Sequence, residues 1–164
     1  MPRLRLPAHS PRDAQFDAVL TADALEFIGE LAERFGPQVE ALLAARARRQ
    51  TRIDGGELPD FLASTRAIRE TEWTVASIPA DLLDRRVEIT GPTDRKMIIN
   101  ALNSGARVFM ADCEDSLSPG WDNVVRGQAS LRDAVARRID FISPEGKSYS
   151  VVAQPAVLFV RPRG

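Results

Sequence analysis

The first half of the chain carries its apolar side chains at helical spacing. Thr21 can cap a helix, and apolar residues then recur every three or four positions, at Leu25, Ile28, Leu31, Ala32 and Phe35. Gly36-Pro37 predicts that this helix ends and that a second one begins, because proline suits the first turn of a helix. The second helix is predicted to end at the Asp-Gly-Gly of residues 54–56, before a mixed stretch with one short helix.

Beyond residue 86 the pattern changes to short apolar runs that alternate with helical segments. Strands are predicted at residues 87–90, 107–111 and 156–160, helices at residues 93–103 and 121–136, and a hairpin within residues 139–150. Near-continuous apolar strands are typical of a parallel sheet that is buried on both faces. The sequence therefore predicts the α/β fold class.

These patterns divide the chain into three predicted regions. Residues 1–19 are expected to form a flexible tail, residues 20–85 a helical domain and residues 86–164 an α/β domain. Three parallel strands do not make a finished sheet. A β/α barrel needs eight units and typically about 250 residues, so residues 86–164 could form only its first three units.

Composition narrows the classes of function. The 22 basic residues balance 23 acidic ones, so the net charge of −1 gives no general attraction to a polyanion. We therefore predict neither nucleic acid nor a membrane as partner, and no stretch reaches the roughly 18 apolar residues of a membrane span. The N-terminal tail lacks the apolar segment of a secretory signal, and the single cysteine excludes an internal disulfide. A cytoplasmic protein is predicted.

Polar side chains follow two of the predicted strands, where parallel α/β proteins gather their active sites. Asp112, Glu114, Asp115 and Ser116 come after the second strand, and Arg161 comes after the third. Three carboxylates within four residues repel one another unless cations, metals or backbone donors hold them. The alternative is an exposed turn whose aspartates cap the next helix, with an arginine that pairs with a neighbouring carboxylate.

A third candidate lies where the first strand leads into a helix. Residues 90–96 place Arg95 and Lys96 beside the start of that helix, an arrangement that can hold a phosphate or another anion. The stretch has one glycine and no nucleotide-loop spacing. The alternative is an ordinary capped helix start with Asp94 in its first turn.

Several segments resemble malate synthases of the A type. They include Arg-Val-Glu-Ile-Thr-Gly-Pro at residues 86–92, Val-Phe-Met-Ala-Asp at 108–112, Glu-Asp-Ser-Leu-Ser-Pro at 114–119 and Arg-Pro-Arg-Gly at 161–164. The resemblance covers the chain from about residue 20 onward. It implies a helical N-terminal clasp followed by the first three β/α units of a TIM barrel.

The resemblance also implies a reaction of the glyoxylate cycle. In that family Mg²⁺ and an arginine hold glyoxylate, and an aspartate removes a methyl proton from acetyl-CoA. The enolate attacks the aldehyde, and malyl-CoA is then hydrolysed to malate and CoA. By motif position the arginine is Arg161.

Further site residues follow from the same motifs. Asp112, Glu114 and Asp115 are expected to support the groups that contact the metal and acetyl-CoA. Ser116 is expected near the coenzyme, for which Arg95 and Lys96 are candidate contacts.

The resemblance places the two Mg²⁺ ligands and the catalytic aspartate on later strands of the barrel, so no metal ligand is expected in this chain. The chain stops three residues after Arg161. We therefore expect a truncated form that is inactive alone.

Two other functions remain open. One is a carbon–carbon lyase that acts on another acyl-CoA, like the β-subunit of citrate lyase, which has a similar strand–helix–acidic-strand layout. The other is a non-catalytic module that docks on a partner or on itself, because the open edge of an unfinished sheet invites association.

Overall fold

The computed structural model describes residues 13–163 together with Leu4, Leu6 and Ser10. Most of the predicted tail before residue 13, and Gly164 of the C-terminal motif, lie outside the described residues. The chain divides into two compact units, a helical unit of residues 25–77 and an α/β unit that combines residues 13–24 with residues 78–163. Within these residues no helix is long and apolar enough to cross a membrane.

Helix α2 (Ala22–Asp54) supplies most of the helical unit. Its predicted cap is confirmed, since the Thr21 hydroxyl oxygen accepts a hydrogen bond from the backbone N–H of Ala24 at 3.2 Å. The predicted end is also confirmed, because the chain turns at Gly56 with φ of +94°, a backbone conformation that favours glycine. A single 3₁₀ turn (Ala63–Thr65) and the short helix α3 (Arg66–Arg69) follow.

The predicted break at Gly36-Pro37 is wrong, because α2 continues through both residues. Proline removes one N–H and hence one hydrogen bond from the helix. The residues on either side are mostly alanine, leucine, glutamate and arginine, which have high helix propensity. The neighbouring turns therefore maintain a single helix across the proline.

The α/β unit follows the predicted order to within two residues at each boundary. Its elements are α1 (Ala14–Val19), β1 (Glu88–Gly91), α4 (Arg95–Leu102), β2 (Val108–Asp112), α5 (Trp121–Val135), β3 (Asp140–Ile142), β4 (Ser148–Ser150) and β5 (Val157–Arg161), with one 3₁₀ turn (Ala80–Leu82). Strands β1, β2 and β5 form a parallel sheet in the order β1-β2-β5, while β3 and β4 pair as an antiparallel hairpin. A helical N-terminal region and a small parallel sheet in an α/β chain are thus confirmed.

The core of the α/β unit lies between the central strand and the two long helices. Phe109 and Ala111 of β2 are buried against apolar residues of α4 and α5, and Val108, which alternates to the other face of the strand, is buried as well. The flanking strands β1 and β5 are only partly buried, because each has a single neighbour among the described strands. The predicted burial on both faces therefore holds for the central strand and not for its neighbours.

The predicted tail extends too far, because residues 14–19 form helix α1 and pack in the α/β unit. Asp13 caps α1 by accepting the backbone N–H groups of Gln15 and Phe16 at 2.9 and 3.2 Å. The Phe16 side chain is 1% exposed. Burial of one aromatic ring can remove some 150 Å² or more from water, which explains how so short a segment is held.

A close approach between α5 and the start of α4 explains a glycine in the middle of a helix. A Cβ on Gly127 would lie 2.2 Å from the hydroxyl oxygen of Thr93 and 3.1 Å from its Cβ. Glycine costs about 1 kcal/mol relative to alanine inside a helix. Glycine is therefore required at position 127 because of packing against Thr93, and not because of the local conformation of α5.

Gly127→Ala should lower the free energy of unfolding of the α/β unit by about 1–3 kcal/mol, because overpacking outweighs the gain in helix propensity. Urea denaturation followed by the fluorescence of Trp121, in a Trp73→Phe background, measures this change. A second substitution, Thr93→Ala, should recover part of the loss by removing the clashing oxygen. Gly120→Ala is the control, because a Cβ there meets no atom within 4 Å, and its effect should stay below about 1 kcal/mol. Equal stability of Gly127→Ala and wild type would contradict this account.

Candidate functional site

The parallel register brings the two predicted site segments together at one edge of the sheet. Asp112, the last residue of β2, is the register partner of Arg161, the last residue of β5. The backbone N–H of Cys113 donates to the carbonyl oxygen of Arg161 at 3.0 Å, so the pairing continues one residue beyond β2. The acidic turn therefore starts directly beside the arginine.

Arg161 contacts all three carboxylates of the acidic turn. Its Nη2 lies 2.7 Å from an oxygen of Glu114, and its Nη1 lies 2.8 Å from an oxygen of Asp115. Nη1 also lies 3.5 Å from Asp112, a longer contact. The arginine side chain remains 39% exposed, so the guanidinium is fixed in position and still accessible.

Asp112 organises the turn from inside. Its side chain is 1% exposed, and one carboxylate oxygen accepts the backbone N–H groups of Glu114 and Asp115 at 2.8 and 3.2 Å. The other oxygen accepts the Ser116 hydroxyl at 3.1 Å. These bonds fold the chain back after β2, which is why Glu114 and Asp115 both reach Arg161. The turn does not cap α5, whose N-cap residue Gly120 has no side-chain bond.

The site is electrostatically coupled. Burial raises the pKa of Asp112, but the two backbone N–H donors, the Ser116 hydroxyl and the charge of Arg161 together outweigh it, so that pKa lies below its ordinary value. The bond to Asp115 raises the pKa of Arg161, against a smaller opposing effect of burial, and the other two carboxylates add to the rise. Both groups are therefore held in their charged forms.

The charges of the cluster do not balance. Three carboxylates face one guanidinium, so the described residues leave an excess of negative charge and several hard oxygen atoms, the donors that Mg²⁺ prefers. Nevertheless, no group of at least three histidine, cysteine or acidic side chains in the described part of the chain is placed to hold a metal ion. These residues by themselves do not fit a Mg²⁺ site.

A cavity of about 380 Å³ lies next to the acidic turn. Ser116 lines it together with the start of α4 at Thr93 and Arg95, and α5 contributes a further wall. The Thr93 hydroxyl is buried and has no hydrogen-bond partner among the described residues. Thr93 lies within the third candidate segment, residues 90–96, but no motif distinguishes it there, because its burial depends on the approach of α5.

In the third candidate segment, residues 90–96, Arg95 and Lys96 both contact other side chains of the protein. The Nε and Nη2 groups of Arg95 bind the carbonyl and side chain of Asp140 at 2.6 and 3.2 Å, and Nη1 binds Asp133 at 2.7 Å. Lys96 lies over the ring of Tyr149, with Nζ 5.1 Å from its centroid. The capped start expected as the alternative is present, since Asp94 accepts the backbone N–H of Met97 at 2.9 Å.

Comparisons with known proteins agree with the resemblance. Residues 7–67 match the family described as malate synthase, N-terminal domain. The chain is 61% identical over 146 residues to malate synthase of Myxococcus xanthus (strain DK1622), which covers 89% of this chain and 27% of that protein. It is 53% identical over 154 residues to malate synthase A of Escherichia coli (strain K12), covering 94% of this chain and 29% of the relative. A glyoxysomal malate synthase of Zea mays is 51% identical over 154 residues, 93% of this chain and 28% of the relative. The chain thus spans less than a third of the length of these relatives.

Asp112→Asn should be less stable than wild type at pH 7, and the difference should shrink as the pH falls below about 4. The folded-state pKa of Asp112 is depressed, so its contribution is present above the unfolded-state pKa and is lost as the pH falls through the folded-state pKa. Urea unfolding between pH 3 and pH 7 measures this trend. Asp81→Asn, at an exposed aspartate of the same unit, controls for loss of one carboxylate. A difference from wild type that stays constant across this range would contradict the assignment.

Proposed function

Because the chain belongs to the malate synthase family, we propose that it supplies one side of an active site that condenses acetyl-CoA with glyoxylate and hydrolyses the product to malate and CoA. The observation that carries the proposal is the ion-pair cluster at the carboxyl edge of the sheet. There Arg161 is held by Asp112, Glu114 and Asp115 and remains accessible. The reaction belongs to the glyoxylate cycle.

Arg161 is proposed as the catalytic arginine. A guanidinium stays charged at any physiological pH and donates from a planar fork. It can therefore stabilise the negative charge that develops on the aldehyde oxygen of glyoxylate and on the thioester enolate. Its contacts with Glu114 and Asp115, at 2.7 and 2.8 Å, fix the fork before substrate arrives, so less reorganisation is needed during the reaction.

The three carboxylates are proposed to position Arg161, and Ser116 to lie beside the coenzyme. Ser116 borders both the cluster, through its bond to Asp112, and the 380 Å³ cavity. That cavity is proposed as the coenzyme side of the site. Arg95 and Lys96 stay candidate coenzyme contacts, although their present partners would have to be exchanged for coenzyme phosphates.

Mg²⁺ is proposed as the cofactor of the whole enzyme on the strength of the resemblance alone. The described residues do not form a metal cluster, so no step is assigned to the ion here. The resemblance also places the base that deprotonates acetyl-CoA on a later strand. We therefore expect no turnover from these 164 residues by themselves.

A TIM barrel is proposed for the larger fold. In support, β1, β2 and β5 are parallel neighbours, and α4 and α5 connect them in the β/α alternation that opens such a barrel. The helical unit is then the N-terminal clasp, and the predicted boundary at residues 85–86 stays a prediction.

A cytoplasmic location is likewise proposed. The relative from Zea mays is named glyoxysomal.

Self-association through the sheet edge is a second proposal. Val160 on β5 is 47% exposed and borders a groove of about 450 Å³, which Val135 and Val151 also line. No described strand pairs with the outer side of β5. Another copy of the chain could cover this apolar edge.

The enzymatic proposal can be tested in a chimera in which these residues replace the matching segment of the Escherichia coli relative. The chimera should release CoA thiol from acetyl-CoA only when glyoxylate and Mg²⁺ are both present. Arg161→Lys should lower turnover by about 100-fold or more, because lysine cannot reproduce the fork. Arg163→Lys, two residues away and exposed, should leave turnover nearly unchanged.

Three results would count against this proposal. An inactive chimera would show that the segment does not serve the reaction, and normal turnover of Arg161→Lys would remove the arginine from it. Cleavage of malyl-CoA or citramalyl-CoA without any glyoxylate-dependent condensation would favour the citrate-lyase-like alternative instead.

Val160→Lys should shift the 164-residue chain toward monomer, because a charge placed on the edge strand opposes pairing. Sedimentation equilibrium measures the shift. Val75→Lys is the matched control, since Val75 is an exposed valine of the helical unit. A wild-type chain that is already a compact monomer, or dissociation caused by Val75→Lys alone, would rule out the sheet edge as the interface.

A further inference from the structure

Helix α1 cannot owe its order to its own hydrogen bonds. It has six residues, whereas isolated helices shorter than about 12–15 residues are marginal in water. Its order must come from contacts with the rest of the α/β unit. Phe16 is the buried residue of α1 and is 1% exposed.

One side chain of α5 holds three residues at the start of α1. The Nη2 group of Arg126 lies 2.8 Å from a carboxylate oxygen of Asp13, and Nη1 donates to the side-chain oxygen of Gln15 at 2.9 Å. The guanidinium carbon lies 4.9 Å from the centroid of the Phe16 ring, within the range of a cation–π contact. Nε of Arg126 binds Asp122 on its own helix at 2.8 Å, which orients the fork.

The same contacts build a wall of the cavity beside the acidic turn. Gln15 and Arg126 both line the 380 Å³ cavity, together with Thr93 and Ser130. Phe16 is not among the lining residues. Gln15 reaches the cavity only while α1 is docked, so the cavity is complete only in that state.

The chemistry of the lining indicates the kind of occupant. Both arginines of the lining already have carboxylate partners, Arg95 with Asp133 and Asp140, and Arg126 with Asp13 and Asp122. The rest of the polar lining consists of amide and hydroxyl groups, including the unpartnered hydroxyl of Thr93, and of the carboxylates of Asp94 and Asp122, which would repel an anion. Such a lining suits an uncharged chain that bears amides and hydroxyls better than it suits a bare anion.

We propose that α1 is a strap that forms the outer wall of this cavity and that Arg126 is the positioning residue that holds it. Docking of the strap and binding of a ligand in the cavity then stabilise each other. The identity of the occupant rests on the proposed function, under which it is the amide-bearing arm of acetyl-CoA. Coupling of this kind is reciprocal. A change that releases the strap weakens binding of the ligand, and a bound ligand slows release of the strap.

Hydrogen exchange of residues 13–20, measured on the 164-residue chain, reports docking of α1 directly. The N–H groups of Asp17 and Leu20 are bonded at 3.0 and 2.8 Å inside the docked strap. Arg126→Gln should speed exchange there by about tenfold, because an ion pair, a hydrogen bond and a cation–π contact are lost together. Arg126→Lys should be intermediate, since lysine keeps the charge but not the fork. Arg138→Gln, which removes an exposed arginine paired with Asp133, is the matched control and should change nothing there.

Calorimetric titration with acetyl-CoA tests the cavity. Acetyl-CoA should slow exchange of residues 13–20 in wild type, and Arg126→Gln should bind it at least about threefold more weakly. Because Arg126 itself lines the cavity, Phe16→Ala is the decisive variant: it releases the strap without altering a lining side chain, and it should weaken binding as well.

Each outcome bears on a separate part of the proposal. Unchanged exchange in Arg126→Gln would overturn the role of Arg126. If Phe16→Ala speeds hydrogen exchange of α1 but leaves the affinity for acetyl-CoA unchanged, α1 is not a wall of the binding cavity. Failure of acetyl-CoA to bind wild type, together with strap release in the variants, would overturn the coenzyme assignment of the proposed function and leave Arg126 as the residue that holds α1.

Discussion

The buried carboxylate of Asp112 is the constraint on which the site depends. A carboxylate that is almost fully removed from water at the end of a strand must receive hydrogen-bond donors or lose its charge. The nearest donors are the backbone N–H groups that follow it, and using them forces the chain to fold back at once. That turn determines where Glu114 and Asp115 lie, and hence how Arg161 is held. The geometry of the cluster is therefore a consequence of how one buried charge is solvated.

Much of this was predictable because the controlling interactions are close in sequence or follow from strand direction. The carboxyl ends of neighbouring parallel strands must meet, so strand direction alone predicts Asp112 and Arg161 at the same edge. The strands and helices of the α/β unit were likewise evident from their periodicity. The turn around Asp112 is less evident from the sequence, because the same pattern also predicts an exposed turn whose aspartates cap the next helix.

The elements that were missed depend on contacts between distant residues. Helix α1 lacks a periodic apolar pattern, and its order comes from Phe16 and from contacts with Arg126 and Arg132, more than 100 positions later. The requirement for glycine at position 127 arises from Thr93, in the segment that precedes α4. The continuity of α2 through Pro37 has a different cause, since there the helix propensity of long flanking segments outweighs one lost hydrogen bond. No local signal distinguishes these cases from a tail, a weak helix position or a helix end.

The same solvation that orders the site also limits what its residues can do in catalysis. A general base must gain a proton readily near the working pH, whereas the donors around Asp112 stabilise its ionised form and keep its pKa below the ordinary value. Protonation would also break the hydrogen bonds that shape the turn. Asp112 is thus suited to hold a positive group in place and unsuited to remove a proton from the methyl group of a thioester. Arg161, held in its charged form by the carboxylates around it, is equally unsuited to that step. Under the proposed function, Arg161 is the group at this edge that stabilises negative charge, and proton removal is expected from a group in a less strongly solvated environment.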